Sequence, residues 1–282
     1  MTTLASWVTD DDHGVASIYI ASDSRLCLID ENDIVVGISG NQYQKTFHSR
    51  KTPDVFGVYG VVTHAPELVK RLIPSLAALR DGLPAPERTV STYAALVAET
   101  VGRIGVPGVC RAESFGLIHG FRLAKYEFGL FHVKVTLSPG ATKVTSDEVH
   151  VKPFEAISCA WATGKPGLVR TQRTDPDKAQ RGFSRWHWQT FYDALKAPLD
   201  DYSGGAPQLV GIYREGNGMA FGIHFAGERF LNGRPIAGQS VPSDLEWRDG
   251  LFQRVDDGCI LLLKAQKHGR VLATAKVTPY SV

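Results

Sequence analysis

Apolar and β-branched residues crowd two short runs near the start of the chain, residues 3–9 and 15–22, divided by the acidic turn Asp10-Asp11-Asp12-His13-Gly14. Runs of this kind bounded by turn residues predict two strands. The second, VASIYIAS, is nearly continuous in apolar side chains, which predicts a strand covered on both faces. Further strands are predicted at residues 34–38 and in VFGVYGVV, residues 55–62. The period then lengthens to three or four. In PELVKRLIPSLAALRDG, Leu68, Leu72, Leu76 and Leu79 predict one helix face, with Gly82 just past its end. In TVSTYAALVAETVGRIG, Tyr93, Leu96, Val97, Val101 and Ile104 form a second stripe, which Thr89 or Ser91 can cap and Gly105 can stop.

Strand-like runs return in SFGLIHGF, YEFGLFHVKVTL and FEAISCAWATG, between residues 114 and about 160. SRWHWQTFYDALKAP reads as a helix with Trp188, Phe191, Tyr192 and Leu195 on one face, ended by Pro198. The strands PQLVGIYRE and MAFGIHF follow, and in the tail Asp-Gly steps at 249–250 and 257–258 mark turns between short strands. The order of strands, two helices, strands, helix and strands predicts an α+β protein. Each sheet needs one face buried on its twin and one under helices, so the blocks stack as a four-layer αββα sandwich of two antiparallel sheets with a β-rich C-terminal extension.

Composition removes several function classes. The 282 residues carry 31 basic and 29 acidic side chains, a net charge of +2, so no global field draws the chain to nucleic acid or an anionic membrane. The mixed RGFSRWHWQTF run is accordingly expected in the core, not on a stacking platform for single strands. No run approaches the roughly 18 apolar residues of a membrane span, and the acidic start lacks a signal peptide's basic and apolar regions, so a cytoplasmic protein is expected. Cys27, Cys110, Cys159 and Cys259 are far apart with no CxxC pair, and are expected as buried thiols. The nine histidines show no ligand spacing, so neither metal nor cofactor is expected.

Candidate chemistry sits at the opening Met-Thr-Thr. A methionine followed by a small residue is a substrate for aminopeptidase removal, which would leave Thr2 with a hydroxyl and a free α-amine on one residue. An amine with an ordinary pKa of about 7.7–8.0 is a usable base near neutrality, and a threonine paired with its own N-terminus is one way to activate a weak nucleophile. Antiparallel pairing about a turn centred near residue 12 sets residue 22 opposite residue 2, give or take one, and returns Asp23 beside Thr2.

Thr2-Thr3, Asp23-Ser24-Arg25, Lys45 in QYQKTF, Gly60 in VYGVV, Ala162-Thr163-Gly164 and Asp200-Asp201-Tyr202-Ser203-Gly204-Gly205 together resemble the proteasome β-type subunits of the N-terminal nucleophile (Ntn) hydrolase superfamily, above all the HslV/Anbu-like bacterial branch. The motifs span residues 2 to 205 and imply an Ntn hydrolase domain over 1–228, with 229–282 as the extension. By this resemblance the Thr2 hydroxyl attacks a peptide carbonyl, and Lys45, paired to Asp23, lowers the amine's pKa and favours the alkoxide. Arg50 and Lys51 are the rivals of Lys45. The Gly60 N–H is the implied oxyanion donor. Asp200, Ser203 and Thr163 support the amine, with Asp201 the rival of Asp200, and Val58 lines the substrate pocket. Thr163 stands where the family has serine, the strands of 114–160 are longer than its middle strands, and the final 50 or so residues have no counterpart in it.

The resemblance implies a threonine-type endopeptidase acting on a peptide or unfolded protein within a homo-oligomeric ring; whether an ATPase unfoldase feeds it is not readable. Alternatives are a catalytically silent assembly subunit, or an amidohydrolase on small amides with the same nucleophile.

Overall fold

In the computed structural model the described residues are 2–30, 35–60, 63–149, 157–158, 184–197, 203–238, 241–263 and 265. Six strands come first: β1 (Leu4–Asp11), β2 (Gly14–Ser22), β3 (Leu26–Ile29), β4 (Val35–Gly40), β5 (Thr46–His48) and β6 (Asp54–Gly60). Helices α1 (Ala65–Leu72), α2 (Leu76–Asp81) and α3 (Val90–Arg103) lead to β7 (Glu113–Ala124), β8 (Glu127–Ser138), β9 (Ala141–Glu148) and β10 (Ile157–Ser158). Helix α4 (Ser184–Lys196) precedes β11 (Gln208–Tyr213), β12 (Met219–Ala220), β13 (Gly222–Phe225), β14 (Glu228–Leu231), β15 (Arg234–Pro235), β16 (Trp247–Arg248) and β17 (Arg254–Val255).

The fold is mixed α+β, with several antiparallel sheets and a few helices. One sheet runs β10-β1-β2-β11-β12 and a second β5-β6-β7-β8-β9; among the described residues β3 and β4 form a two-stranded sheet of their own. A third sheet, β15-β14-β13-β16-β17, contains the parallel pair β13–β16 and draws strands from both sides of residue 228. The strand alternation of β2 sorts its side chains as expected of a strand covered on both faces. Ile18 and Ile20 join Val55, Ile118, Leu130, Val210 and Ile212 between the two large sheets. Tyr19 and Ala21 face Trp7, Trp188, Phe191 and Phe252 on the other side. The helix-facing side of the second sheet packs Phe56, Val58, Leu117 and Val133 against Leu68 and Leu72 of α1 and Tyr93 and Val97 of α3.

Several expectations shift for local physical reasons. The leucine stripe of 68–79 is broken into α1 and α2 by a 3-10 turn over Ile73–Ser75, because Pro74 has no N–H to donate and its ring crowds the preceding turn. Thr89, not Ser91, caps α3, its side chain accepting the Thr92 N–H at 3.2 Å. On α4 Trp186, His187 and Trp188 are buried, so the described part of the Arg/Trp/His run, residues 184–191, packs into the core; residues 181–183 lie outside the described residues. Strand β9 was not legible as one: its residues are mostly exposed and none is fully buried, and an edge strand that buries neither face has no apolar alternation to read. The thiols depart from the expected burial. Cys27 is half-buried, and Cys110 and Cys259 are exposed because they lie on connecting turns rather than on core-facing strand positions. Cys159, and most of the FEAISCAWATG run, lie outside the described residues.

Candidate functional site

The β1–β2 hairpin fixes where the chain's start meets Asp23. Its turn is Asp12-His13, with Asp11 opposite Gly14, whose φ of +98° is the conformation glycine tolerates. A bulge between Thr9 and Asp10 leaves Ala16 unopposed and advances the register by one residue. Ser22 therefore pairs with Leu4, not with Thr2 as counting from a turn at residue 12 predicts. The carboxylate just past β2 lands beside Thr3: the Asp23 N–H donates to the Thr3 carbonyl at 3.1 Å, and the Thr3 N–H donates to Asp23 Oδ1 at 3.1 Å.

Asp23 collects donors from three segments. Lys45 Nζ donates to Oδ1 at 2.9 Å, and the backbone N–H groups of Arg25 and Gly204 each donate to Oδ2 at 3.2 Å. Both charged side chains are 0% exposed. A buried ion pair persists only when its geometry and extra hydrogen bonds offset the loss of hydration, which is what the three backbone donors supply. Arg50 and Lys51, the rival cations, are exposed.

Thr2 is 3% exposed, and its Oγ1 is a buried polar atom with no hydrogen-bond partner among the described residues. Thr3 differs: its Oγ1 meets Ser203 Oγ at 2.7 Å, tying the chain's start to the Ser203-Gly204-Gly205 loop. An orphaned buried hydroxyl is costly, and where one persists a functional reason is worth seeking.

Lys45 enters β5 beside β6, where its carbonyl accepts the Val58 N–H at 2.8 Å. Val58 itself is fully buried among the apolar side chains under the helices. Two residues on, Gly60 ends β6 opposite Phe115; it is exposed, with φ +91°. A Cβ there would stand 3.2 Å from the Phe115 Cα, so conformation and space both call for glycine. The structure thus joins Thr3, Asp23, Lys45 and Ser203 by direct hydrogen bonds, sets Thr2 next in the chain, and carries Val58 and Gly60 on the adjoining strand. Thr163, Asp200 and its rival Asp201 lie outside the described residues.

One member of the cluster escaped the sequence reading. Gln208 is 0% exposed; its Oε1 accepts from the Lys45 N–H at 2.9 Å and the Thr46 N–H at 3.3 Å, while Nε2 donates to the carbonyls of Tyr43 at 2.7 Å and Asp23 at 3.0 Å. A lone amide at the start of the apolar strand QLVGIY, directly after the Ser-Gly-Gly-Ala-Pro turn, was its only signal.

A second polar cluster lies at the other end of β6. Asp54, 0% exposed, accepts from His119 Nε2 at 2.8 Å and Tyr93 Oη at 3.0 Å through Oδ1, and pairs with Arg80 through Oδ2 at 2.9 Å. Burial pushes its carboxyl upward, but His119 and Arg80 outweigh burial and hold it below the usual carboxylate range. Burial in turn keeps His119 below the ordinary imidazole value. With Arg80 stacked 4.4 Å from the Tyr93 ring, this network clips α2 and α3 to the sheet.

Among the described residues no group of three or more His, Cys, Asp or Glu side chains is placed to hold a metal ion, and no helix is long and apolar enough to cross a membrane. In comparisons with known proteins, no family model matches the chain and no curated protein matches it.

Proposed function

We propose that the chain is a threonine-type peptidase of the Ntn hydrolase class, with Thr2 as nucleophile once Met1 is removed, and that its layered sheets and helices are an αββα sandwich of that class. The observation that carries this reading is the orphaned, buried Thr2 hydroxyl one residue from the Asp23–Lys45 pair. The liberated α-amine accepts the hydroxyl proton as Oγ1 bonds to the substrate carbonyl, and the Lys45 ammonium favours the anionic form of the attacking oxygen. The Gly60 N–H stabilises the tetrahedral oxyanion. Collapse expels the amine of the leaving peptide, which takes the proton, and water then hydrolyses the ester and restores Thr2. Asp23 and Gln208 are positioning residues: they hold Lys45 and Thr3 and do not touch the substrate. A homo-oligomeric ring in the cytoplasm, of the kind the family resemblance implies, belongs to the same proposal.

The deep burial of Thr2 favours a second reading, amide hydrolysis confined to small substrates. Intact mass of the purified protein, with hydrolysis of unfolded casein and of small fluorogenic amides, tests both. Loss of Met1 and hydrolysis abolished by Thr2→Ala are expected; full activity in Thr2→Ala ends the proposal, and cleavage of small amides alone selects the second reading.

A further inference from the structure

A cleft of about 370 Å³ opens beside the candidate site, with the Ser203–Ala206 loop as its floor. That size falls in the range of small-molecule sites. One wall is aromatic: Phe225 and Phe230 line it edge to face, their ring centroids 6.3 Å apart. Arg25 and Lys196 bring positive charge to the cleft, and Glu228 brings negative charge. Among the described residues neither Lys196 nor Glu228 makes an ion pair; Lys196 lies 5.8 Å over the Tyr192 ring.

The backbone around the cleft is specialised. A Cβ on Gly204 would stand 2.5 Å from the Arg25 guanidinium, so only bare backbone lets that group lie across the floor, where its Nε donates to Asn41 Oδ1 at 2.9 Å. At the rim, the turn between β13 and β14 is Ala226-Gly227, with φ of +51° and +84°. The next hairpin turn, Asn232-Gly233, has φ of +51° and +76° and carries the residue pair that such turns favour. Alanine at 226 is therefore the costlier choice for the backbone, and it sits where the residue lines the cleft. Asparagine would add a polar side chain to the rim; alanine keeps it small and apolar.

The charges of Lys196 and Glu228, which make no ion pair among the described residues, stand beside an aromatic wall and suit a ligand that carries both signs and an apolar body. We infer that this cleft binds a short zwitterionic peptide, its carboxylate toward Arg25 and Lys196, its ammonium toward Glu228 and its apolar side chains against Phe225 and Phe230. The floor joins the two sites physically, because Ser203 Oγ bonds Thr3 Oγ1 and the Gly204 N–H bonds Asp23. Occupancy of the cleft thus bears on the loop that holds the candidate nucleophile's neighbours. Binding itself does not require Thr2 to be a nucleophile.

The test is calorimetric titration of the dipeptide Leu-Phe into the full chain carrying Thr2→Ala, which cannot consume the probe by the proposed chemistry. Saturable binding is expected, with N-acetyl-Leu-Phe and Leu-Phe-amide each weaker by about tenfold or more, the loss of one charge-assisted contact. Lys196→Glu and Glu228→Lys should each weaken Leu-Phe binding similarly while leaving the unfolding midpoint unchanged. Absence of saturable binding at millimolar peptide, or equal affinity for the capped and free peptides, overturns the inference. The capped peptides on the Thr2→Ala chain decide the matter even if a charge variant fails to fold.

Discussion

Exchanging Asp23 and Lys45 singly and together separates the stability of the buried pair from its proposed role in chemistry. Asp23→Asn keeps the shape of the side chain but leaves the Lys45 ammonium, 0% exposed, without a counter-ion. Breaking a buried pair in this way costs about 3–5 kcal/mol. Lys45→Met leaves a carboxylate that still accepts from the N–H groups of Thr3, Arg25 and Gly204, so a smaller loss of about 2 kcal/mol is expected. The double variant buries no net charge and replaces the pair by a neutral amide beside a thioether. It should lie within about 1–2 kcal/mol of the parent, because buried pairs are often matched by neutral replacements. The coupling between the two sites is then about 3 kcal/mol or more. Urea denaturation of the four proteins at pH 7 measures it, with unchanged slopes as the check on two-state behaviour. Peptide hydrolysis should be lost in all three variants, including the restabilised double one. Additive losses, or a cost below about 1 kcal/mol for Asp23→Asn, would refute the account of a dry, mutually dependent pair.

Thr2→Val exchanges the unpartnered buried hydroxyl for a methyl of the same shape and should raise stability by about 1 kcal/mol while abolishing hydrolysis; thermal unfolding and an activity assay read both effects. Gln208→Leu strands the Lys45 and Thr46 N–H groups and the Asp23 and Tyr43 carbonyls, and a loss of about 3–4 kcal/mol is expected in urea, with hydrolysis impaired. Gly57→Ala would set a Cβ 2.6 Å from side-chain carbons of both Ile20 and Leu4, so the two large sheets must separate at a cost of about 1–3 kcal/mol, visible as a lowered unfolding midpoint. Acid should unfold the protein in stages. Burial, with Arg50 nearby, pushes His48 down to about 4, so between pH 6.5 and 4 the unfolded chain binds a proton that the folded one refuses. That single group removes about 3 kcal/mol of stability as pH falls through this window, and His119, also depressed, acts in the same direction. Below it, protonation of Asp54 removes the stability of a carboxylate held low by His119 and Arg80. Denaturation midpoints that stay level from pH 7 to 4 would contradict the desolvation of the half-buried His48 and the buried His119.

Gln208 and Pro74 mark the two sides of what a linear reading can reach. Pro74 was visible, and its effect on a helix is local, yet the leucine stripe masked the break because apolar spacing persists through a 3-10 turn. Gln208 is a single amide whose partners come from residues 23, 43, 45 and 46, so no window around it carries the signal. The same holds for Asp54, whose partners His119, Arg80 and Tyr93 stand on a distant strand and two helices.

Local periodicity by itself determined most of the elements that surround the site: the β1–β2 hairpin, the double-sided burial of β2, the apolar stripes of α3 and α4, and the strands β6, β7, β8 and β11. These depend on side chains within a few residues of one another, where sterics and the burial of one face suffice. Tertiary structure alone decided the register that puts Thr3 rather than Thr2 against Asp23, since one bulged residue moves every later rung. It also decided that Lys45, and not the exposed Arg50 or Lys51, is the cation of the cluster. An ammonium can stay dry only where a carboxylate and its supporting donors converge from segments far apart in the chain, and that convergence is a property of the packed sheets, not of any stretch of sequence.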